Sequence, residues 1–307
     1  MAGWSTQDIP AQTGRVAVVT GANSGLGLAT SRELARAGAR VVMGCRDAGR
    51  GAAALLKVRD EQPQADVTCE ALDLASLASV RDFAGRVPST YGGVDLLVNN
   101  AGVMAIPRAT TADGFEMQLG TNHLGHFALT GLLLPWMTDR AGSRVVTVSS
   151  TAHKPGRIDF DDLMGERSYK KWGAYSQSKL ANLLFAFELQ RRLAAAGKAT
   201  ISVAAHPGYA ATNLQAVGPQ QEGNRLMGLL MTLGNRLFAQ SDEAGALPSL
   251  YAATAPDVEG GEYFGPSGFQ ESRGAPKRVD SRPRSKDTEV AARLWQVSEE
   301  LTGVRYA

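Results

Sequence analysis

Arg15-Val16-Ala17-Val18-Val19-Thr20-Gly21-Ala22-Asn23-Ser24-Gly25-Leu26-Gly27 opens on a β-branched run that ends at a glycine. Helical character then sets in from Leu26 to Ala37, so a buried strand feeds a helix through a glycine-rich turn. Gly21, Gly25 and Gly27 let the backbone N–H groups of this turn, with Asn23, Ser24 and Leu26 beside them, approach a pyrophosphate without Cβ interference. The spacing G-x-x-x-G-x-G departs from the general G-x-G-x-x-G fingerprint, and a turn that only tightens strand-to-helix packing would read the same way. Its place after the first strand of an alternating series favours a dinucleotide.

That alternation continues outward. Strands are expected at 40–45, 67–72, 94–99, 143–149 and 200–205, and helices near 47–61, 76–90, 113–139 and 174–196. Strands apolar on both faces belong to a buried parallel sheet, so the fold class is α/β: a single Rossmann-type doubly wound parallel sheet with helices on both faces. Residues 1–307 are read as one domain with two additions. An apolar segment at about 213–240, rich in Leu226, Met227, Leu229, Leu230, Met231, Leu233, Leu237 and Phe238, breaks the rhythm. A C-terminal extension at about 266–307 holds a basic stretch at 273–286, read as a solvated loop. It closes with Val290, Leu294, Val297 and Leu301, whose spacing marks an amphipathic helix docked on the body.

Composition narrows the partners. With 32 Lys and Arg against 30 Asp and Glu, the net charge of +2 argues against bulk electrostatic binding of nucleic acid or a membrane surface. Cys45 and Cys69 are too few for a structural zinc cluster, and the four histidines lack zincin spacing, so no metal is expected. The N-terminal stretch has no cationic run leading into an apolar one, and Phe127 to Met137 is about half of the roughly 20 residues a spanning helix requires. A cytoplasmic protein without a transmembrane anchor is the expectation.

After the second strand the chain reads Met43-Gly44-Cys45-Arg46-Asp47. An acidic residue there recognises a free ribose 2'-hydroxyl, whereas a guanidinium suits a 2'-phosphate. Arg46 therefore favours NADP(H) over NAD(H), the alternative being a surface arginine ahead of a helix capped by Asp47. Tyr175-Ser176-Gln177-Ser178-Lys179 puts a phenol and an ammonium four residues apart on one helix face, where the cation would draw the phenol's pKa toward working pH.

Taken together and in order, the glycine turn at 20–27, Asn99-Asn100-Ala101-Gly102, Ser149-Ser150, Tyr175 to Lys179 and Pro207-Gly208-x-x-x-Thr212 resemble the short-chain dehydrogenase/reductase superfamily over about residues 14 to 265. Asn122-His123-Leu124-Gly125-His126-Phe127, Ser150-Thr151-Ala152-His153 and the long gap before Tyr175 look most like its retinol dehydrogenase group. The resemblance implies that Tyr175 is the proton donor or acceptor and that Lys179 lowers its pKa and holds the nicotinamide ribose. It further implies that Ser150, with Ser149 in reserve, bonds the reacting oxygen and that Asn122 positions a water linked to Lys179. Asp73 and Leu74 would sit by the adenine, Asn99, Ala101 and Gly102 would line the cleft, and Pro207, Gly208 and Thr212 would meet the nicotinamide end; Asp73 could instead only cap the next helix, and Asn99 could instead stabilise the central strands, a role the family also gives it. The segment at 213–240 falls where the family places a substrate lid, which points to a lipophilic aldehyde, ketone or alcohol, or else it is a helix packed on the core or on a second subunit. Relatives often form homo-oligomers. A C=C reductase resembling protochlorophyllide reductase and a non-catalytic NADP(H)-responsive binding protein are the alternative readings.

Overall fold

The computed structural model describes residues 3–137, 142–208 and 240–306. Each short apolar run forms a strand: β1 Val16–Thr20, β2 Arg40–Cys45, β3 Val67–Ala71, β4 Leu96–Asn99, β5 Arg144–Val148 and β6 Ile201–Ala205. Two short strands follow, β7 Tyr263–Pro266 and β8 Pro276–Arg278. They form one sheet of order β3-β2-β1-β4-β5-β6-β7-β8, parallel except for β8, which runs antiparallel to β7. Helices α1 Gly25–Arg36, α2 Ala48–Glu61, α3 Leu77–Tyr91, α4 Met117–Leu119, α5 Gly125–Leu133, α6 Lys171–Ala195, α7 Asp242–Thr254 and α8 Thr288–Thr302 surround it.

The two-residue period of β1 explains the layering. Ala17 and Val19 join one core with α1, α2 and α7, while Val18 joins a second with α3, α5, α6 and α8. Val18 pairs with Val42 on one side and Leu97 on the other. Strand order reverses at β1, since β2 and β3 lie to one side of it and β4 onward to the other, and a crevice opens beyond the carboxyl ends of β1 and β4.

Three expectations change. The stretch 113–139 is not one helix: α4 passes through a π turn, Gly120–Leu124, into α5, and Pro135 ends the run in a 3-10 turn, Leu134–Trp136. The basic stretch 273–286 is not simply a solvated loop, because Pro276–Arg278 is the edge strand β8 and Arg278 pairs with Glu262 at 2.6 Å. The docking seam of α8 is rotated from the expected one, with Ala291, Leu294, Trp295 and Ser298 buried where Val297 is only partly so. Trp295 packs on Phe127 and Phe185, and the Tyr306 hydroxyl donates to the Phe127 carbonyl at 2.7 Å. The apolar segment at 213–240 lies outside the described residues except for Gln240. No helix among those described is long and apolar enough to cross a membrane.

Candidate active site

The crevice begins at the glycine turn. Gly21 and Gly25 take left-handed φ values of +66° and +57°, which a Cβ would strain, and they swing the chain from β1 into α1. Ser24 stands at the N-cap of α1 with no side-chain cap bond, so the first amides of α1 face the crevice without an intrahelical partner. Gly21, Asn23, Ser24, Gly25, Leu26 and Gly27 line it at this end. Arg46 lies at the far end of β2, Asp73 and Leu74 follow β3, and Ala101 and Gly102 follow β4. Asp47 caps α2, its carboxylate accepting the Arg50 N–H at 2.8 Å.

The second half of the site gathers where β5 ends and α6 begins. Ser149 turns inward, its Oγ donating to the Lys179 carbonyl at 2.8 Å. Ser150 lies beside Tyr175, close enough for its hydroxyl to lower the phenol's pKa, and its Oγ accepts the Ala152 N–H at 3.1 Å. Tyr175 is 4% exposed. Burial pushes the Tyr175 phenol up to about 12, and the neighbouring Ser150 hydroxyl opposes that rise. Lys179 Nζ lies 5.8 Å from the Tyr175 ring centroid and donates to the Val148 carbonyl at 3.2 Å. Burial pushes that ammonium down to about 8. Asn122 lies on the π turn; its Oδ1 accepts from the Val103 N–H at 2.8 Å, and its Nδ2 donates to the Val103 carbonyl and to Ser178 Oγ, both at 2.9 Å. Trp172, half exposed, stands edge-on to Tyr175 with ring centroids 6.0 Å apart.

The chain thus brings together Ser150, Tyr175, Lys179 and Asn122 behind Gly102, where a Cβ would stand 3.1 Å from Asn122 Oδ1 and 3.6 Å from Lys179 Nζ. Asn99 is placed elsewhere than the crevice wall: it is fully buried and its Nδ2 donates to Thr130 Oγ1 at 2.9 Å. As the last residue of β4 it still points into the core, and the crevice is lined by the next residue, Asn100. Pro207 and Gly208 follow β6, with the Gly208 N–H donating to His206 Nδ1 at 3.2 Å; Thr212 lies outside the described residues. Motif reading also missed Gly44, Arg50, Val103 and Thr121 on the crevice wall. Arg50 had a signal, since it falls in the first turn of the helix that Asp47 caps, just after Arg46. Among the described residues no group of His, Cys, Asp and Glu could hold a metal ion.

The site fits a dinucleotide on its own geometry, through open helix amides, a Cβ-less turn and two guanidinium groups beyond β2. Comparison with known proteins agrees. The model of the family described as short chain dehydrogenase matches residues 15–223. Mouse Retinol dehydrogenase 14 is 44% identical over 303 residues, spanning 95% of this chain and 86% of that protein. Mouse Polyprenol dehydrogenase is 44% identical over 301 residues, spanning 96% and 86%. A crystal structure of an uncharacterised protein from Mycobacterium Paratuberculosis superposes with a TM-score of 0.82 at 47% identity, covering all of both chains.

Proposed function

This chain belongs to the short-chain dehydrogenase family, most like its retinol dehydrogenase group, and from that premise we propose that it interconverts a lipophilic carbonyl and its alcohol with NADP(H). The single observation that carries the reading is the meeting of Ser150, Tyr175 and Lys179, far apart along the chain, beside a crevice built for a dinucleotide. When bound, the dinucleotide supplies or takes up the hydride. The glycine turn and the first amides of α1 would hold its pyrophosphate, and Lys179 its nicotinamide ribose.

The chain's own groups handle the proton. Tyr175, kept protonated by burial, is the general acid for an oxygen gaining negative charge, and Ser150 Oγ donates to the same oxygen. Asn122, bonded on both amide atoms, keeps its segment fixed behind Lys179. Burial of Tyr175 and Lys179 excludes bulk water, so the proton passes between fixed partners.

Arg46 and Arg50 on the crevice wall support the choice of a 2'-phosphate. Arg46→Glu is expected to weaken NADPH binding about 10- to 100-fold, the scale of one lost charge-assisted contact, and to change NADH binding by less than about threefold. Fluorescence titration with both dinucleotides measures this; equal losses for the two would remove Arg46 from the phosphate site. The lipophilic substrate is supported by the exposed Trp172 indole edge-on to Tyr175 and by relatives named for retinol and polyprenol, both isoprenoid alcohols. A panel of retinoid, polyprenyl, aliphatic and small polar carbonyls with NADPH tests it. Preference for the small polar members overturns the substrate class, and saturation of a C=C bond in the product overturns the reaction.

A further inference from the structure

A buried string of hydrogen bonds joins the dinucleotide side of the site to the catalytic side, and its middle member is His126. Thr20 Oγ1 accepts the N–H groups of Asn100 and Ala101, both at 2.9 Å, on the crevice wall. With both lone pairs engaged, its hydroxyl hydrogen is left to donate, and His126 Nε2 lies 2.8 Å away against 3.4 Å for the Val98 carbonyl. The imidazole Nε2 is therefore an acceptor. The proton sits on Nδ1, which donates to the Asn122 backbone carbonyl at 3.0 Å. From Asn122 the string continues through Nδ2 to Ser178 Oγ at 2.9 Å, and Ser178 Oγ donates to the carbonyl of Tyr175 itself at 2.8 Å.

No other protonation state satisfies these partners. A cationic imidazole, or the opposite tautomer, would aim an Nε2–H at an oxygen whose lone pairs are already taken; the opposite tautomer would also set a bare Nδ1 against a carbonyl oxygen. The surroundings agree with a neutral ring. His126 is 1% exposed, Lys179 and His123 are the titratable groups that interact with it electrostatically, and burial with the Lys179 charge pushes its pKa down to about 4.

We propose that His126 is a positioning residue for the reaction. As a neutral imidazole protonated at Nδ1, it ties the Asn122 backbone on the π turn to the crevice wall, and so sets Tyr175 in register with the bound dinucleotide. The inference rests on the assignment of Tyr175 as the acid.

Nitrogen-15 NMR of the ring nitrogens of the full-length protein reads the tautomer directly. The expected result is a neutral, Nδ1-protonated His126 from pH 8 down to about pH 5, a range above its lowered pKa. A cation or an Nε2-protonated ring at pH 7 overturns the proposal whether or not the enzyme turns over. Two half-replacements then separate positioning from folding. His126→Asn keeps an amide donor within reach of the Asn122 carbonyl, whereas His126→Gln places its amide toward Thr20 and leaves that carbonyl without its donor. With kcat counted per site titrated by NADPH, the Gln variant is expected to fall about tenfold and the Asn variant to stay within about threefold of wild type. KM for the carbonyl should be equal in all three. Equal losses in both variants, or none in the Gln variant, overturns the proposal. Absence of carbonyl turnover in the wild type instead overturns the assigned reaction and leaves the tautomer result standing.

Discussion

Tyr175→Phe is expected to lower carbonyl turnover by about 10²- to 10⁴-fold, the range a positioned general acid contributes, while leaving the NADPH dissociation constant within about threefold. The substitution removes one oxygen from a side chain that is 4% exposed and keeps the ring that packs against Trp172, so the fold has no reason to respond. Steady-state consumption of NADPH, paired with a fluorescence titration, separates the two quantities; turnover within tenfold of wild type would falsify the assignment of the acid. Direction of reaction adds an independent test. Because burial raises the phenol to about 12, Tyr175 is protonated at neutral pH, the form that reduction uses. Oxidation of the alcohol needs the phenolate and should therefore gain on reduction as pH rises from 7 to 10. A ratio of oxidative to reductive kcat that stays flat over that interval would mean that another group carries the proton.

Gly27→Ala is expected to weaken dinucleotide binding about 10- to 100-fold through one methyl group. An ideal Cβ on Gly27 stands 2.4 Å from the Gly21 carbonyl oxygen and 2.6 Å from Asn100 Nδ2. The carbonyl is backbone and Asn100 Nδ2 is itself bonded to the Thr20 carbonyl at 2.8 Å, so the turn has to move to relieve the contact. Overpacking of this kind costs about 1–3 kcal/mol, more than the roughly 1 kcal/mol that Ala gains over Gly in a helix. Gly85, inside α3, gives the opposite sign: beyond its own stretch of helix backbone, nothing lies within 4 Å of its added Cβ, so Gly85→Ala should stabilise the protein by about 0.5–1 kcal/mol with no effect on binding. Denaturant unfolding and NADPH titration of the two variants check both. Normal binding by Gly27→Ala would show that the turn has slack at this point.

The parts of the molecule that could be read from sequence are those where one local signal decides the structure. Strands β1 to β6 are short, mostly apolar runs with no competing period, and both α1 and α2 start at recognisable turn or cap residues. The helix α7 was missed because Pro248 lies inside it and its residues are buried around most of its circumference, so no apolar stripe alternates with a polar one. The strand β7 contains a glycine and ends in a proline, and only its pairing with β6 and β8 makes it a strand. The π turn inserts a single residue into a helical period, which leaves hardly any trace in the pattern of side chains, yet it carries Asn122. Asn99 and Asn100 differ only in whether β4 has ended, and one residue of error in that boundary exchanges core for crevice. Chemical environment was less legible than position. The pairing of Tyr175 with Lys179 follows from helical spacing, but the upward displacement of the phenol depends on burial contributed by the whole fold.

Trp295 and Tyr306 have a consequence for the order in which the protein matures. The Tyr306 hydroxyl is bonded to a carbonyl 179 residues earlier in the chain, and its ring meets Gly131 of α5, where an added Cβ would stand 2.7 Å away. The sheet can assemble once residue 278 has left the ribosome, but the apolar wall behind α5 and α6 stays uncovered until residue 306 has emerged. A nascent chain therefore completes its strands before Trp295 and Tyr306 can cover α5 and α6, the second of which carries Tyr175 and Lys179.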